Sequence, residues 1–129
     1  MNIDHIALWV HDIEEMRNFY VKYFELVPGA RYSNPQRGFC SYFLSFKSGA
    51  RLELMHMTGV KNSGRDPEAN FAGLAHFAIS VGSREKVDSL TSVLKADGYR
   101  VLDGPRTTGD GYYESSVLDP EGNRIEITI

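Results

Sequence analysis

The sequence has little with which to cross-link itself or to cross a membrane. Its one cysteine, Cys40, excludes an intramolecular disulfide, and we interpret it as a buried core residue, not a nucleophile. No run approaches the roughly 18 uninterrupted apolar residues of a membrane helix. Met1 leads into a strand-like segment instead of the basic and apolar stretch of a secretory signal. We therefore expect a cytoplasmic protein with no membrane partner.

The sequence also lacks an excess of positive charge. The 129 residues include 14 Lys and Arg against 17 Asp and Glu, for a formal net charge of −3, and no basic cluster concentrates positive potential. This balance argues against nucleic acid as a partner and leaves a small molecule as the expected one. Hydrophobic residues make up 42% and charged residues 24% of the chain, which is typical of a globular fold.

The chain contains an internal repeat, which is the main guide to its fold. DHIALWV aligns with AHFAISV at an offset of 71 residues, which places His5 over His76. Near the end of each half, GARLEL aligns with GNRIEI at an offset of 73, which places Glu53 over Glu126. Two extra residues in a loop account for the drift.

Each half is predicted to have the order βαβββ. A capping Asp12 and an apolar stripe predict a helix from Ile13 to Phe24, and its copy begins after Ser83 and stops at Gly98. The strands after the helices are predicted at roughly 29–34, 38–47 and 50–56, then 99–103, 111–118 and 123–129. The result is a single α+β domain, 1–129, made of a first module (1–57), a linker (58–72) and a second module (73–129).

Strand alternation predicts which side chains share a face. Aliphatic residues of the first strand and of its copy must cover the helices, which turns His5 and His76 to the opposite face of each sheet. By the same alternation, Glu53 and Glu126 lie on the histidine side of the last strands. Two imidazoles and two carboxylates thus share one kind of surface.

These four side chains are suited to a divalent cation. Imidazole nitrogen and carboxylate oxygen are ligands of such ions, and two of each leave coordination positions for water or substrate. Taken singly, each residue is also an ordinary polar position on the solvent side of a sheet. Their recurrence at equivalent places of a repeat favours the metal site.

The chain resembles the vicinal oxygen chelate superfamily and, within it, the glyoxalase I-like proteins related to lactoylglutathione lyase. The resemblance covers nearly the whole chain, and its most typical motif is the closing DPEGNRIEI, residues 119–127. It implies two βαβββ modules forming a cupped, partly open mixed-sheet barrel, the fold of glyoxalases, bleomycin resistance proteins and dioxygenases. It further implies that His5, Glu53, His76 and Glu126 are the metal ligands, and that the protein is a homodimer whose cup forms within one chain or across two.

The ligand set and the resemblance together indicate a lyase or isomerase. A metal with open positions can bind two adjacent substrate oxygens and stabilise an enediolate while a carboxylate removes a carbon-bound proton. Either Glu53 or Glu126 could be that base, and the resemblance favours Glu126. The donor set suits Ni²⁺, Zn²⁺, Co²⁺, Mn²⁺ or Fe²⁺, and no organic cofactor is expected.

Trp9 is a departure from the glyoxalase I pattern, which has a basic residue four positions after the first histidine to hold the glutathione carboxylate. The departure puts a glutathione adduct in doubt. Trp9 either lines the cup, where it favours an apolar or aromatic substrate, or packs against the neighbouring module.

Two arginines and a group of aromatic residues are further candidates for the substrate pocket. Arg51 and Arg124 each lie two residues before a glutamate, where they grip an anionic substrate or pair with local carboxylates at the sheet rim. Aromatic side chains that either wall the pocket or simply pack are Phe39, Tyr42, Phe43, Tyr112 and Tyr113.

Two other functions remain open. Some members of the superfamily bind and sequester drugs such as bleomycin without catalysis, although these generally lack the ligands. Oxygen-dependent ring cleavage is less favoured, because it normally leaves one cup position without an acidic ligand.

Overall fold

Each helix begins at a capping side chain and buries one apolar face. In the computed structural model, which describes residues 1–129, helix α1 covers Ile13–Phe24 and helix α2 covers Arg84–Ala96. The Asp12 carboxylate accepts hydrogen bonds from the first turn of α1, and the Ser83 hydroxyl does so for α2. The predicted helix bounds are confirmed.

The chain divides into two compact units, Met1–Ser63 and Gly64–Ile129. The first unit contains β1 His5–Trp9, α1, β2 Val27–Pro28, β3 Tyr32–Asn34, a 3-10 turn at Pro35–Arg37, β4 Phe39–Ser45 and β5 Arg51–Met57. The second contains β6 Phe77–Ser80, α2, β7 Val101–Thr107, β8 Tyr113–Leu118 and β9 Arg124–Thr128.

Both units build a mixed sheet with the same topology. The strand order is β1-β5-β4-β2 in the first unit, with β3 also on β4, and β6-β9-β8-β7 in the second. In each, the first strand runs parallel to the last, and the other pairs are antiparallel. Neither sheet closes on itself, and the α+β class is confirmed.

Two predicted strands differ in extent from the structure. The strand expected at 29–34 is two short strands, because the chain leaves β4 at Gly29 and rejoins it at Tyr32. The strand expected at 99–103 is β7, Val101–Thr107, which continues past Gly104 with two register shifts against β8, one between Val101 and Asp103 and one between Asp103 and Arg106.

The core of each unit lies between its sheet and its helix. Leu52 and Leu54 of β5 are fully buried there, as are Ile125 and Ile127 of β9. Cys40 is buried and free, as predicted. Neither helix has the length and apolar character needed to cross a bilayer. We call the opposite side of each sheet, which carries His5 and Glu53 or His76 and Glu126, the histidine face.

Candidate metal centre

In the first unit, parallel pairing of β1 with β5 brings an imidazole and a carboxylate together. Ala7 is the register partner of Glu53, and His5 lies one alternation earlier on the same face. Nε2 of His5 is 3.7 Å from Oε2 of Glu53. The Glu53 side chain is 14% exposed, whereas that of His5 is 39% exposed, so the pair is sheltered on its carboxylate side.

Asp4 orients this histidine. Its Oδ2 is 2.9 Å from Nδ1 of His5 and accepts a second hydrogen bond, of 2.5 Å, from Nη2 of Arg51. The hydrogen bonds from His5 and Arg51 hold the pKa of the Asp4 carboxyl below its usual range. An ionised carboxylate only accepts, so Nδ1 of His5 donates to Asp4, and Nε2 is the ring nitrogen that faces Glu53. Asp4 was not predicted from the sequence, because strand alternation does not place a residue that precedes the strand.

In the second unit, the equivalent pair lies closer together. Nε2 of His76 is 3.0 Å from Oε2 of Glu126. His76 directly precedes β6, and Ala78, two residues later, is the register partner of Glu126. The position equivalent to Asp4 is Ala75, so this histidine has no matching carboxylate before it.

The second pair opens into a cavity of about 510 Å³. The cavity belongs entirely to this unit and is strongly charged. Its lining residues are Glu68, Asn70, Ala75, His76, Leu102, Asp103, Arg106, Glu114, Ser115, Ser116, Arg124 and Glu126.

The spacing within each pair fits two ligands of a common cation. Two donors bound at about 2.0–2.2 Å lie about 3 Å apart at right angles and about 3.4 Å apart in a tetrahedron. The 3.0 Å of the second pair lies at the lower end of that range, and the 3.7 Å of the first pair lies a few tenths of an ångström above its upper end. Imidazole with carboxylate is also a donor set that borderline divalent ions accept.

Neither unit brings together three or more His, Cys, Asp or Glu side chains in an arrangement that could hold a metal ion. Each unit offers two donors of the predicted set. The joint assignment of His5, Glu53, His76 and Glu126 stays a prediction.

A further carboxylate, Glu114, lines the second cavity. Burial raises its pKa, and the neighbouring charge of Glu126 raises it further. Glu114 was not among the predicted site residues, although alternation along β8 places it on the face of Ser116, the register partner of Glu126.

The predicted pocket arginines have partners within their own units. Arg51 pairs with Asp4, and its guanidinium lies 4.3 Å from the centre of the Phe43 ring. Arg124 donates to the Asn70 side chain at 3.2 Å and to two backbone carbonyls, of Pro67 at 3.2 Å and Glu68 at 3.3 Å. It therefore holds the segment that precedes β6 against the cavity, and both arginines stay candidates for substrate contact.

The aromatic group divides between the two faces. Phe43 makes an edge contact with the His5 ring at 5.4 Å, and Phe39 makes one with Trp9 at 6.2 Å, both on the histidine face. Trp9 itself is 48% exposed.

Two of the predicted wall residues belong instead to the helix side. Tyr42 donates to Glu14 of α1 at 2.9 Å, and Tyr113 donates to Asp88 of α2 at 2.6 Å. Their hydroxyl groups join sheet to helix and do not wall a pocket on the histidine face.

The protein is thus an α+β protein built from two βαβββ units, and each unit carries a His–Glu pair on the sheet face opposite its helix. The chain belongs to the Glyoxalase/Bleomycin resistance protein/Dioxygenase superfamily, whose family model matches residues 2–127. The resemblance inferred from the motifs is confirmed.

Individual relatives support this assignment. The protein described as "Uncharacterized protein YqjT" of Bacillus subtilis is 31% identical over 95% of this chain and 94% of its own length. A glyoxalase/bleomycin resistance protein/dioxygenase domain from Frankia sp. superposes with a TM-score of 0.82 at 17% identity, over 100% of this chain and 97% of that one. The trypanothione-dependent glyoxalase I of Leishmania major does so with a TM-score of 0.77 at 22% identity, over 99% and 86%. At such identities the two structures show the shared fold.

Proposed function

We propose that this protein is a divalent-metal-dependent lyase or isomerase of the glyoxalase I type. The observation that carries the proposal is the duplicated pairing of imidazole nitrogen with carboxylate oxygen, at 3.7 Å for His5 and Glu53 and at 3.0 Å for His76 and Glu126. The two pairs together hold one cation, drawn from Ni²⁺, Zn²⁺, Co²⁺, Mn²⁺ or Fe²⁺. They come from one chain or from two copies in a homodimer.

The substrate is a small molecule with two adjacent oxygens and an acidic carbon-bound proton. When bound, the cation supplies Lewis-acid stabilisation of the negative charge that develops on those oxygens. Glu126 takes the proton from the substrate carbon and returns it to the neighbouring carbon. Glu53 is the alternative base, and His5 and His76 stay fixed as ligands.

The hydrogen bonds around His5 in the first unit support an imidazole of fixed orientation. Asp4 accepts from Nδ1 of His5 and is itself held by Arg51, so the ring is constrained in direction. Such carboxylate–histidine contacts are typical around metal ligands, because they set ring orientation and increase ligand basicity.

Elemental analysis of the native protein combined with an isomerisation assay tests the proposal. We expect about one equivalent of a divalent metal for each set of four ligands, and turnover of a hemithioacetal or a related α-hydroxycarbonyl compound that chelation abolishes. Protein purified without chelator that holds no divalent metal, and that gains no activity with any of the five ions, contradicts it.

The base is tested separately. Glu126→Gln should reduce kcat by about 10²–10⁴-fold, the usual contribution of a positioned general base. Full turnover by this variant, on a substrate that the wild type processes, rules Glu126 out as the base.

Small-molecule sequestration without catalysis is the second candidate. Trp9 is half exposed on the histidine face, next to Phe39, and it gives a flat aromatic ligand a surface on which to stack. It is also the single tryptophan of the chain, so its fluorescence reports binding directly. Saturable quenching by an aromatic compound, with metal bound at one equivalent and no turnover, favours this candidate over the enzyme.

A further inference from the structure

Two register shifts in β7 bring Asp103 and Arg106 to the same face. Val101 is the register partner of Val117, Asp103 that of Ser116 and Arg106 that of Glu114, so the partners on β8 advance one residue fewer at each step. The first shift moves Asp103 to the face opposite Val101, and the second keeps Arg106 on the face of Asp103 and Glu114. There Arg106 lines the cavity with His76 and Glu126.

Asp103 engages only one edge of this guanidinium. Nε of Arg106 donates to Oδ2 of Asp103 at 2.6 Å, and Nη2 lies 2.5 Å from the same oxygen. A guanidinium has five N–H donors, so the two on Nη1 and one on Nη2 have no partner in the protein. Those donors form a planar fork, the arrangement that binds a carboxylate through two parallel hydrogen bonds.

The other arginine of the cavity has no comparable free edge. Nη1 of Arg124 donates to the Asn70 side chain, and Nη2 donates to the carbonyls of Pro67 and Glu68. Arg106 is therefore the guanidinium that offers a preorganised fork on the same surface as the second His–Glu pair.

We propose that Arg106 binds the carboxylate of a small substrate in the cavity of the second unit, with Asp103 as the residue that positions it. As a substrate subsite this assignment rests on the proposed function, which it deepens by naming a monocarboxylate as the substrate class. The acidic residues of the cavity set the preferred charge. Glu114 and Glu126 repel anions, and their repulsion grows with ligand charge, so a singly charged carboxylate is favoured over a phosphate.

The test measures binding to the metal-free protein, so that it does not depend on catalysis. The full chain in EDTA is titrated with lactate, with its neutral analogue lactamide and with inorganic phosphate, and the Nε–H signal of Arg106 and the amides of residues 101–107 are followed by NMR. We expect saturable shifts with lactate and at least about tenfold weaker binding of both lactamide and phosphate. Lactamide lacks the charge that strengthens the hydrogen bonds, and phosphate carries more negative charge, which increases its repulsion by the acidic residues.

Variants distinguish the contribution of the Arg106 fork to lactate binding from that of the protein's overall charge. Arg106→Gln should weaken lactate binding at least about tenfold and abolish the preference over lactamide, whereas Arg106→Lys should keep part of it. The matched control is Arg84→Gln, which removes an arginine of the same unit whose guanidinium lies over Tyr113 and outside the cavity. The double variant Asp103→Asn with Arg106→Gln also removes the carboxylate that Arg106 pairs with, and it serves if the single variant does not fold.

Equal binding of lactate and lactamide by the wild type, unchanged lactate binding by the Arg106 variants, or an equal loss in Arg84→Gln overturns the proposal. Metal affinity is measured in parallel by calorimetry with Zn²⁺. A wild type that binds lactate through Arg106 and no Zn²⁺ contradicts the proposed enzyme and leaves the carboxylate site standing. A wild type that binds Zn²⁺ and not lactate contradicts the carboxylate site and leaves the proposed enzyme unaffected.

Discussion

Oδ2 of Asp4 lies 2.9 Å from Nδ1 of His5, so this carboxylate directs the opposite ring nitrogen, Nε2, toward Glu53. The contact joins two neighbouring residues on either side of a strand boundary. It gives the first His–Glu pair an orienting group that the second pair lacks, because Ala75 occupies the equivalent position. The two halves of the repeat therefore differ in how firmly they hold their histidine.

Removing this orienting group should weaken metal binding. We expect Asp4→Asn to lower the affinity for Zn²⁺ by about 10–100-fold, the usual effect of losing a carboxylate that supports a ligating histidine. Calorimetric titration of the metal-free protein measures it. Asp110→Asn, which changes an exposed loop carboxylate of the second unit, is the control and should bind as the wild type does. Equal affinities for the wild type and Asp4→Asn contradict the role of Asp4.

The two glutamates are expected to differ in catalysis more than in binding. If Glu126 is the base, Glu126→Gln loses more kcat than Glu53→Gln, although each variant removes one of the two proposed carboxylate ligands and should weaken metal binding to a similar degree. Turnover at saturating metal separates the two effects. A larger loss of kcat in Glu53→Gln assigns the base to Glu53 instead.

Glu114 should make the stability of the metal-free protein depend on pH. Burial and the charge of Glu126 raise its pKa, so the ionised form is less favourable in the folded protein than in the unfolded chain. The stability that the protonated form contributes is present at low pH and is lost as the pH rises through the raised pKa. Glu114→Gln should thus melt about 1–3 °C above the wild type at pH 7, with the difference vanishing toward pH 4.

Glu85 provides a control of opposite sign. Hydrogen bonds from its own backbone N–H and from Ser83 lower the pKa of the Glu85 carboxyl. Its contribution to stability is present at neutral pH and is lost as the pH falls through the lowered pKa. Glu85→Gln should therefore melt below the wild type at pH 7. A shift of the same sign in both variants contradicts the prediction for Glu114.

The packing of the hydrophobic core of the second unit can be tested on helix α2. Val87 is fully buried and Val93 is 48% exposed, and both belong to α2. Val87→Ala should lower the free energy of unfolding by about 2 kcal/mol, because it removes two buried methyl groups and leaves a cavity. Val93→Ala should change it by less than about 0.5 kcal/mol. Urea denaturation measures both, and equal losses are inconsistent with the described packing.

The repeat made much of this fold predictable from the sequence. Two copies of one pattern fix the helix starts at Asp12 and Ser83, and strand alternation turns His5 and Glu53 to one face because the side-chain period of a strand is two. These features depend on local periodicity, which a sequence carries directly. The histidine and glutamate positions could be named for the same reason.

Features that depend on a break in periodicity could not be predicted. Alternation places Asp103 on the same face of β7 as Val101, and the register shift between them moves it to the opposite face, beside Arg106. Asp4 precedes the strand whose histidine it orients, and Arg124 bonds backbone carbonyls of a segment more than fifty residues earlier in the chain. A glycine within a strand is the available signal for such a bulge, but the strand predicted at 99–103 ends just before Gly104.

Gly104 is where this bulge is most sensitive to substitution. Its φ is +77°, and a Cβ there would lie 2.5 Å from the carbonyl oxygen of Glu114 and 2.9 Å from Cα of Ser115, both backbone atoms that cannot rotate away. Gly98 ends α2 with a φ of +92° and has open space around its Cβ position. Gly98→Ala should therefore cost about 1 kcal/mol of stability, from the backbone conformation alone. Gly104→Ala should cost clearly more, about 3 kcal/mol, because β7 must also move away from β8.

The same movement displaces Arg106 from the cavity, so lactate binding should fall in Gly104→Ala and not in Gly98→Ala. Urea denaturation and the lactate titration measure the two effects, and a Gly104→Ala variant as stable as Gly98→Ala, with unchanged lactate binding, contradicts the role assigned to the bulge.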